Sequence, residues 1–191
     1  MVLDNLAGTD PAAPESCQDG DRVIMASTSN VNSVDNPRPG SEEDVCNPTQ
    51  AYPASKLAAE KGLRESGLNW SILRYCFVYG DHDGHLESLP QLATNAKLHP
   101  AQTLSMIHHR DIAAAMNIAL TGEWDRQVVN LTDEAPTSLY ELAALVGEKM
   151  ESSSEPLANH WRLHADGSLA RRLGFKPSVR TVYKTVEEGL L

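Results

Sequence analysis

Residues 70–79, Trp-Ser-Ile-Leu-Arg-Tyr-Cys-Phe-Val-Tyr, form an almost unbroken apolar and aromatic run closed by Gly80-Asp81. Such residues, ended by a turn signal, predict a strand, and the lack of alternation predicts one buried on both faces. Residues 22–28, Arg-Val-Ile-Met-Ala-Ser-Thr, read the same way, and Gln127–Thr132 is a third run of this kind. Strands covered on both sides need helices above and below them. Helical patterns do lie between them, over 49–66 with Gly67 as the stop, at roughly 86–97, and over 110–120 behind Asp111. Ser138 stands three positions before Glu141, the spacing of a capping box, so another helix is predicted to start there. Short closing helices are expected over 168–173, stopped by Gly174, and over 181–190. The alternation predicts an α/β fold with a mostly parallel sheet.

Composition narrows the partners. Among 191 residues, 16 Lys and Arg face 26 Asp and Glu, a formal net charge of −10. A phosphate backbone or an anionic membrane surface is repelled by such a chain, so neither nucleic acid nor membrane is expected as a partner. The sequence contains no apolar run of about 18 residues and no basic segment leading into an apolar one at its start, which points to a cytoplasmic protein. Cys17, Cys46 and Cys76 are odd in number and widely spaced, so free thiols are expected rather than a disulfide framework or a thiolate zinc site. The Asn-, Pro-, Ser- and acid-rich stretch from Asn30 to Pro48 reads as a long surface loop.

Tyr52-Pro53-Ala54-Ser55-Lys56 carries the clearest chemistry. A phenol and an ammonium four residues apart lie on one face of a helix. A phenol with a pKa near 10 is a poor base at neutral pH, but a cation within about 4–6 Å favours its ionised form. The pair can then exchange a proton with a substrate hydroxyl or carbonyl. Thr28 ends a buried strand, and parallel sheets place ligands at that end, so its hydroxyl is a candidate to hold the substrate oxygen.

The ordered set of strand-Ala-Ser-Thr, acidic Pro-containing loop, Tyr-xxx-Lys helix and Ile-Leu-Arg-Tyr-Cys-Phe-Val-Tyr-Gly resembles the extended short-chain dehydrogenase/reductases, the NAD-dependent epimerase/dehydratase family. Asn5-Leu6-Ala7-Gly8-Thr9, Met106-Ile107-His108-His109-Arg110-Asp111-Ile112-Ala113 and Leu173-Gly174-Phe175-Lys176-Pro177 are similar to further segments of that family, in the same order. The resemblance implies part of a Rossmann-like, doubly wound parallel sheet over 1–135, with a substrate-side insertion at about 82–105, and a small helical substrate-side region over 136–191. It implies NAD or NADP as cofactor, and a sugar nucleotide or related alcohol or ketone as the small-molecule substrate. Tyr52 would be the acid/base, Lys56 would lower its pKa and bind the nicotinamide ribose, and Thr28 would orient the substrate. Asn5, Ala26, Ser27 and Tyr75 would join Tyr52 and Lys56 beside the cofactor.

Several features depart from the family pattern. No G-x-x-G-x-x-G or G-x-G-x-x-G occurs in the sequence, although that turn and its helix bind the pyrophosphate in dinucleotide folds. The strand at 22–28 is therefore expected to present an unpaired apolar edge, covered by another copy, another chain or a rearranged topology, unless the sequence is a fragment. The competing expectation is a truncated, non-catalytic relative or interaction module that cannot hold a dinucleotide alone. Pro53 is expected to disfavour α conformation at Tyr52 and to start the helix later than in the family. Phe77 stands where sugar-nucleotide enzymes of the family usually carry Asn. Asp81, His82, Asp83, His85 and Glu87 crowd metal-binding residue types into one loop, but a polar loop is the expectation and no metal is assigned. Arg74, within an apolar strand, must be paired if buried, either at the site or with a neighbouring acid.

Overall fold

The structure, a computed structural model, describes residues 21–191 and the backbone of Val2–Leu3. In chain order the elements are β1 (Val2–Leu3), β2 (Arg22–Thr28), α1 (Ala51–Glu65), β3 (Asn69–Tyr75), β4 (Phe77–Tyr79), α2 (His85–Asn95), β5 (Thr103–Leu104), β6 (Met106–His108), α3 (His109–Thr121), β7 (Val128–Leu131), β8 (Thr137–Ser138), α4 (Leu139–Leu145), α5 (Ser168–Arg172) and α6 (Val182–Glu187). The main sheet has the order β1-β2-β3-β7, and every pairing in it is parallel. β2 and β3 run in register along their whole length, from Arg22 beside Asn69 to Thr28 beside Tyr75.

Both faces of this sheet are buried, as the apolar runs require. On one face Ile24, Leu73, Val129 and Leu131 pack with Ala115 and Ala119 of α3, with Trp124 and with Phe175. On the other, Val23, Met25, Trp70 and Ile72 pack against Leu63 of α1. Successive residues of a strand point to opposite faces, so Val23 and Ile24, or Ile72 and Leu73, serve different helix layers. A third apolar cluster joins Tyr79, Leu86, Leu89, Leu104, Leu139, Leu142 and Val182, and so binds α2, α4 and α6 together beside the sheet.

Three expectations need correction. The run 70–79 is two strands, because the chain leaves the main sheet at Cys76 and β4 pairs with β6 instead, Phe77 N–H donating to the Ser105 carbonyl at 3.1 Å. Strand 22–28 is not an uncovered edge at Ile24 and Met25, where Val2–Leu3 pairs with it. Helix α1 starts at Ala51, ahead of Tyr52. Pro53 lies in its first turn, where backbone N–H groups have no intrahelical acceptor and the missing donor costs nothing. The capping box is formed, with Ser138 Oγ accepting from the Glu141 N–H at 3.2 Å. Among the described residues, no helix is long and apolar enough to cross a membrane, and Cys46 and Cys76 are free thiols. Cys17 lies outside the described residues.

Candidate active site

Helix α1 presents Tyr52 and Lys56 one turn apart, toward the C-terminal ends of β2 and β3. Tyr52 is about half exposed, whereas Lys56 is only 6% exposed. The Lys56 Nζ donates to the carbonyl of Ala26 at 3.2 Å and stands 6.0 Å from the centre of the Tyr52 ring. A buried ammonium is thus held between the end of β2 and the phenol. Thr28 closes β2, and its Oγ1 accepts from the Asn30 N–H at 3.2 Å, capping a short 3-10 turn over Ser29–Val31. That contact uses a lone pair and leaves the Thr28 O–H free to donate elsewhere.

Thr28 and Tyr52 both line a cavity of about 520 Å³, bounded further by Cys76, Phe77, Val78 and His85. It opens between the C-terminal edge of the parallel sheet and the α2/α4 layer, the position where open α/β sheets bind ligands, and its volume suits a small molecule. Phe77 contributes an apolar wall. Cys76 is a poor nucleophile there, because burial pushes its thiol up to about 12. Asn32 is a residue that sequence reasoning missed. It is 9% exposed and lines the cavity, and neither its amide oxygen nor its amide nitrogen has a hydrogen-bond partner among the described residues. Nothing in a polar loop sequence marks one Asn as buried.

The remaining expected site residues are distributed as follows. Ala26 supplies the carbonyl that holds Lys56, and Tyr75 ends β3 opposite Thr28. The Ser27 hydroxyl donates to Glu60 Oε1 at 2.6 Å, so its proton is committed to that carboxylate. Asn5 lies outside the described residues. Arg74 is paired with an acid rather than placed in the site: its Nε and Nη2 donate to Glu60 at 3.0 and 2.7 Å, both side chains being 1% exposed. In the acidic loop, Asp81 pairs with Arg110 at 2.7 Å. Asp83 and His85 come together with His109, and His82 and Glu87 are not part of that group.

Asp133, just beyond β7, is 2% exposed and its Oδ2 has no hydrogen-bond partner among the described residues. Burial pushes its carboxyl up to about 8, only partly offset by the Ala135 N–H. The folded chain therefore keeps a proton that the unfolded chain, titrating near 3.9, has lost. Stability from this group is present at low pH and falls as pH rises from about 4 to about 8. Asp133→Asn is accordingly expected to gain on the parent by about 1 kcal/mol per pH unit across that window in urea unfolding. A pH-independent difference would show that the carboxyl is ionised when folded.

The fold defines a class. The main parallel sheet with its flanking helices is shared with Rossmann-like structures of the short-chain dehydrogenase/reductase and epimerase fold. A short-chain dehydrogenase/reductase superfamily protein from Agrobacterium tumefaciens, solved with bound NAD, superposes with a TM-score of 0.69 at 20% identity, over 88% of this chain and 66% of that one. UDP-N-acetylglucosamine 4-epimerase from Methanobrevibacter ruminantium, in complex with UDP-N-acetylmuramic acid, gives 0.67 at 19% identity over 88% and 61%. UDP-glucuronic acid 4-epimerase from Bacillus cereus, with UDP-glucuronic acid and NAD, gives 0.68 at 21% over 87% and 59%. A family profile described as the RmlD substrate binding domain matches residues 4–168, and the chain belongs to that family. No curated protein matches. The chain spans roughly three fifths to two thirds of the length of these solved relatives.

Proposed function

We propose that this chain carries the catalytic acid/base set of an NAD(P)-dependent oxidoreductase, epimerase or dehydratase acting on a sugar nucleotide or related alcohol or ketone. The observation that supports this most is the buried Lys56 ammonium, fixed by the Ala26 carbonyl beside the Tyr52 ring at the mouth of a cavity that Thr28 also lines. Relatives of the same fold are solved with NAD and with UDP-sugars.

In this reading the Thr28 O–H donates to the substrate oxygen and fixes its position. Tyr52 passes a proton to or from that oxygen, and Lys56 stabilises the phenolate left behind. Asn32 offers a buried amide to a polar substrate group. Tyr52 and Lys56 would hold the nicotinamide ribose, with backbone from Ala26, Ser27 and Tyr75 beside it. The fit rests on the Lys56 ammonium, placed at the C-terminal edge of a parallel sheet beside a phenol. The dinucleotide, when bound, supplies the hydride chemistry, while the protein supplies orientation and proton transfer.

Fluorescence titration of the purified chain with NADH and NADPH, with mass by gel filtration on the same sample, tests the reading. Binding in the micromolar range, about −8 kcal/mol, is the expected result. No binding up to millimolar cofactor would replace it with that of a non-catalytic module that keeps the scaffold.

A further inference from the structure

We infer that Asp83, His85 and His109 form a binding site for a divalent first-row transition ion at the rim of the cavity. The three residues come from two segments, the loop after β4 leading into α2 and the first turn of α3. One donor atom from each lies within 4.8 Å of the others. Asp83 Oδ2 is 3.3 Å from His85 Nδ1 and 3.8 Å from His109 Nε2. Donors bound at about 2.0–2.2 Å around one ion stand about 3–4 Å apart, so the group needs only a small contraction to close on a cation.

Three further features favour an ion over a simple polar cluster. Asp83 Oδ2 is buried and accepts no hydrogen bond among the described residues, and its side chain is 18% exposed. Arg110, the residue after His109, is paired with Asp81 and Glu188. Gly80 makes room for His109, because a Cβ there would stand 2.4 Å from His109 Nδ1. The His85 ring is oriented by the Val78 carbonyl, 3.2 Å from Nδ1, and an ion at that nitrogen would take the place of this contact. Two imidazoles and one carboxylate suit Zn²⁺, Co²⁺ or Ni²⁺ better than Mg²⁺ or Ca²⁺, and three donors leave at least one coordination position open. His85 also lines the cavity, so that position lies at its edge.

Calorimetric titration of the untagged full chain with Zn²⁺, and absorption spectroscopy with Co²⁺, test the site without reference to any activity. One ion per chain is expected, with affinity lowered at least tenfold in Asp83→Asn and in His109→Gln. Gly80→Ala keeps all three donors but displaces His109, and should weaken binding as well. His82→Gln, in the same loop, and His160→Gln, in the separate His160/His164 pair, should bind as the parent does. No binding of either ion up to millimolar concentration would overturn the inference. So would unchanged affinity in both Asp83→Asn and His109→Gln, or loss of binding in His160→Gln.

Discussion

Tyr52→Phe is expected to lower turnover by about 10²–10⁴-fold, the usual contribution of a positioned acid/base. The ring remains and only the hydroxyl is removed, from a side chain that is 53% exposed. Unfolding free energy should therefore stay within about 0.5 kcal/mol of the parent. That combination separates chemistry from structure. Lys56→Met has no such separation, because Lys56 is buried and tied to β2, so it should lose both activity and stability. The measurement is chromatographic analysis of the sugar-nucleotide products from UDP-glucose and UDP-glucuronic acid as probe substrates, with nicotinamide absorbance to register any net redox turnover, beside urea unfolding of both variants. Parental turnover in Tyr52→Phe would remove the tyrosine from the mechanism. Thr28→Val should show a milder loss weighted toward KM if the hydroxyl chiefly positions the substrate.

What could be read from the sequence follows the range of the physical signal. β2 and the main-sheet part of 70–79 were legible because burial on both faces leaves an unbroken apolar run. The one-turn spacing of Tyr52 and Lys56 was legible because helix geometry fixes it locally. The split at Cys76 was not, since it depends on β4 finding β6, about thirty residues later, rather than on any breaker in its own segment. β5 and β8 are two residues each and pair across the inserted segment, too short for periodicity to register. The loop after β4 announced its ligand types, but His109, which joins Asp83 and His85, arrives from α3. Asn32 and Asp133 show the same limit, because the burial that gives each its character is a tertiary property. Arg74 was recognised as needing a partner, and the partner's identity came only with α1 laid across the sheet.

That partner sets the second large effect. Glu60 Oε1 accepts from Ser27 Oγ and Arg74 Nε, and Oε2 accepts from Arg74 Nη2 and, at 3.2 Å, from Arg64. A carboxylate with no exposure receives four donors from β2, β3 and its own helix. Removing one side of a buried pair strands the other charge, so Glu60→Leu or Arg74→Met alone should each cost about 3–5 kcal/mol in urea unfolding. Replacing both should recover much of that loss, since two apolar side chains in the same space need no compensation. If the double variant is as unstable as the two single losses added together, the pair is not acting as a unit. Glu60 lies one turn beyond Lys56 and two beyond Tyr52, so the pair also fixes how α1 seats its first turns on the end of β2. The double variant is therefore expected to fold yet to lose kcat relative to its stability, as the phenol and ammonium drift from Thr28. A double variant with restored stability and parental kcat would confine Glu60 and Arg74 to holding the core, and would leave the Ala26 carbonyl as the contact that aligns Lys56.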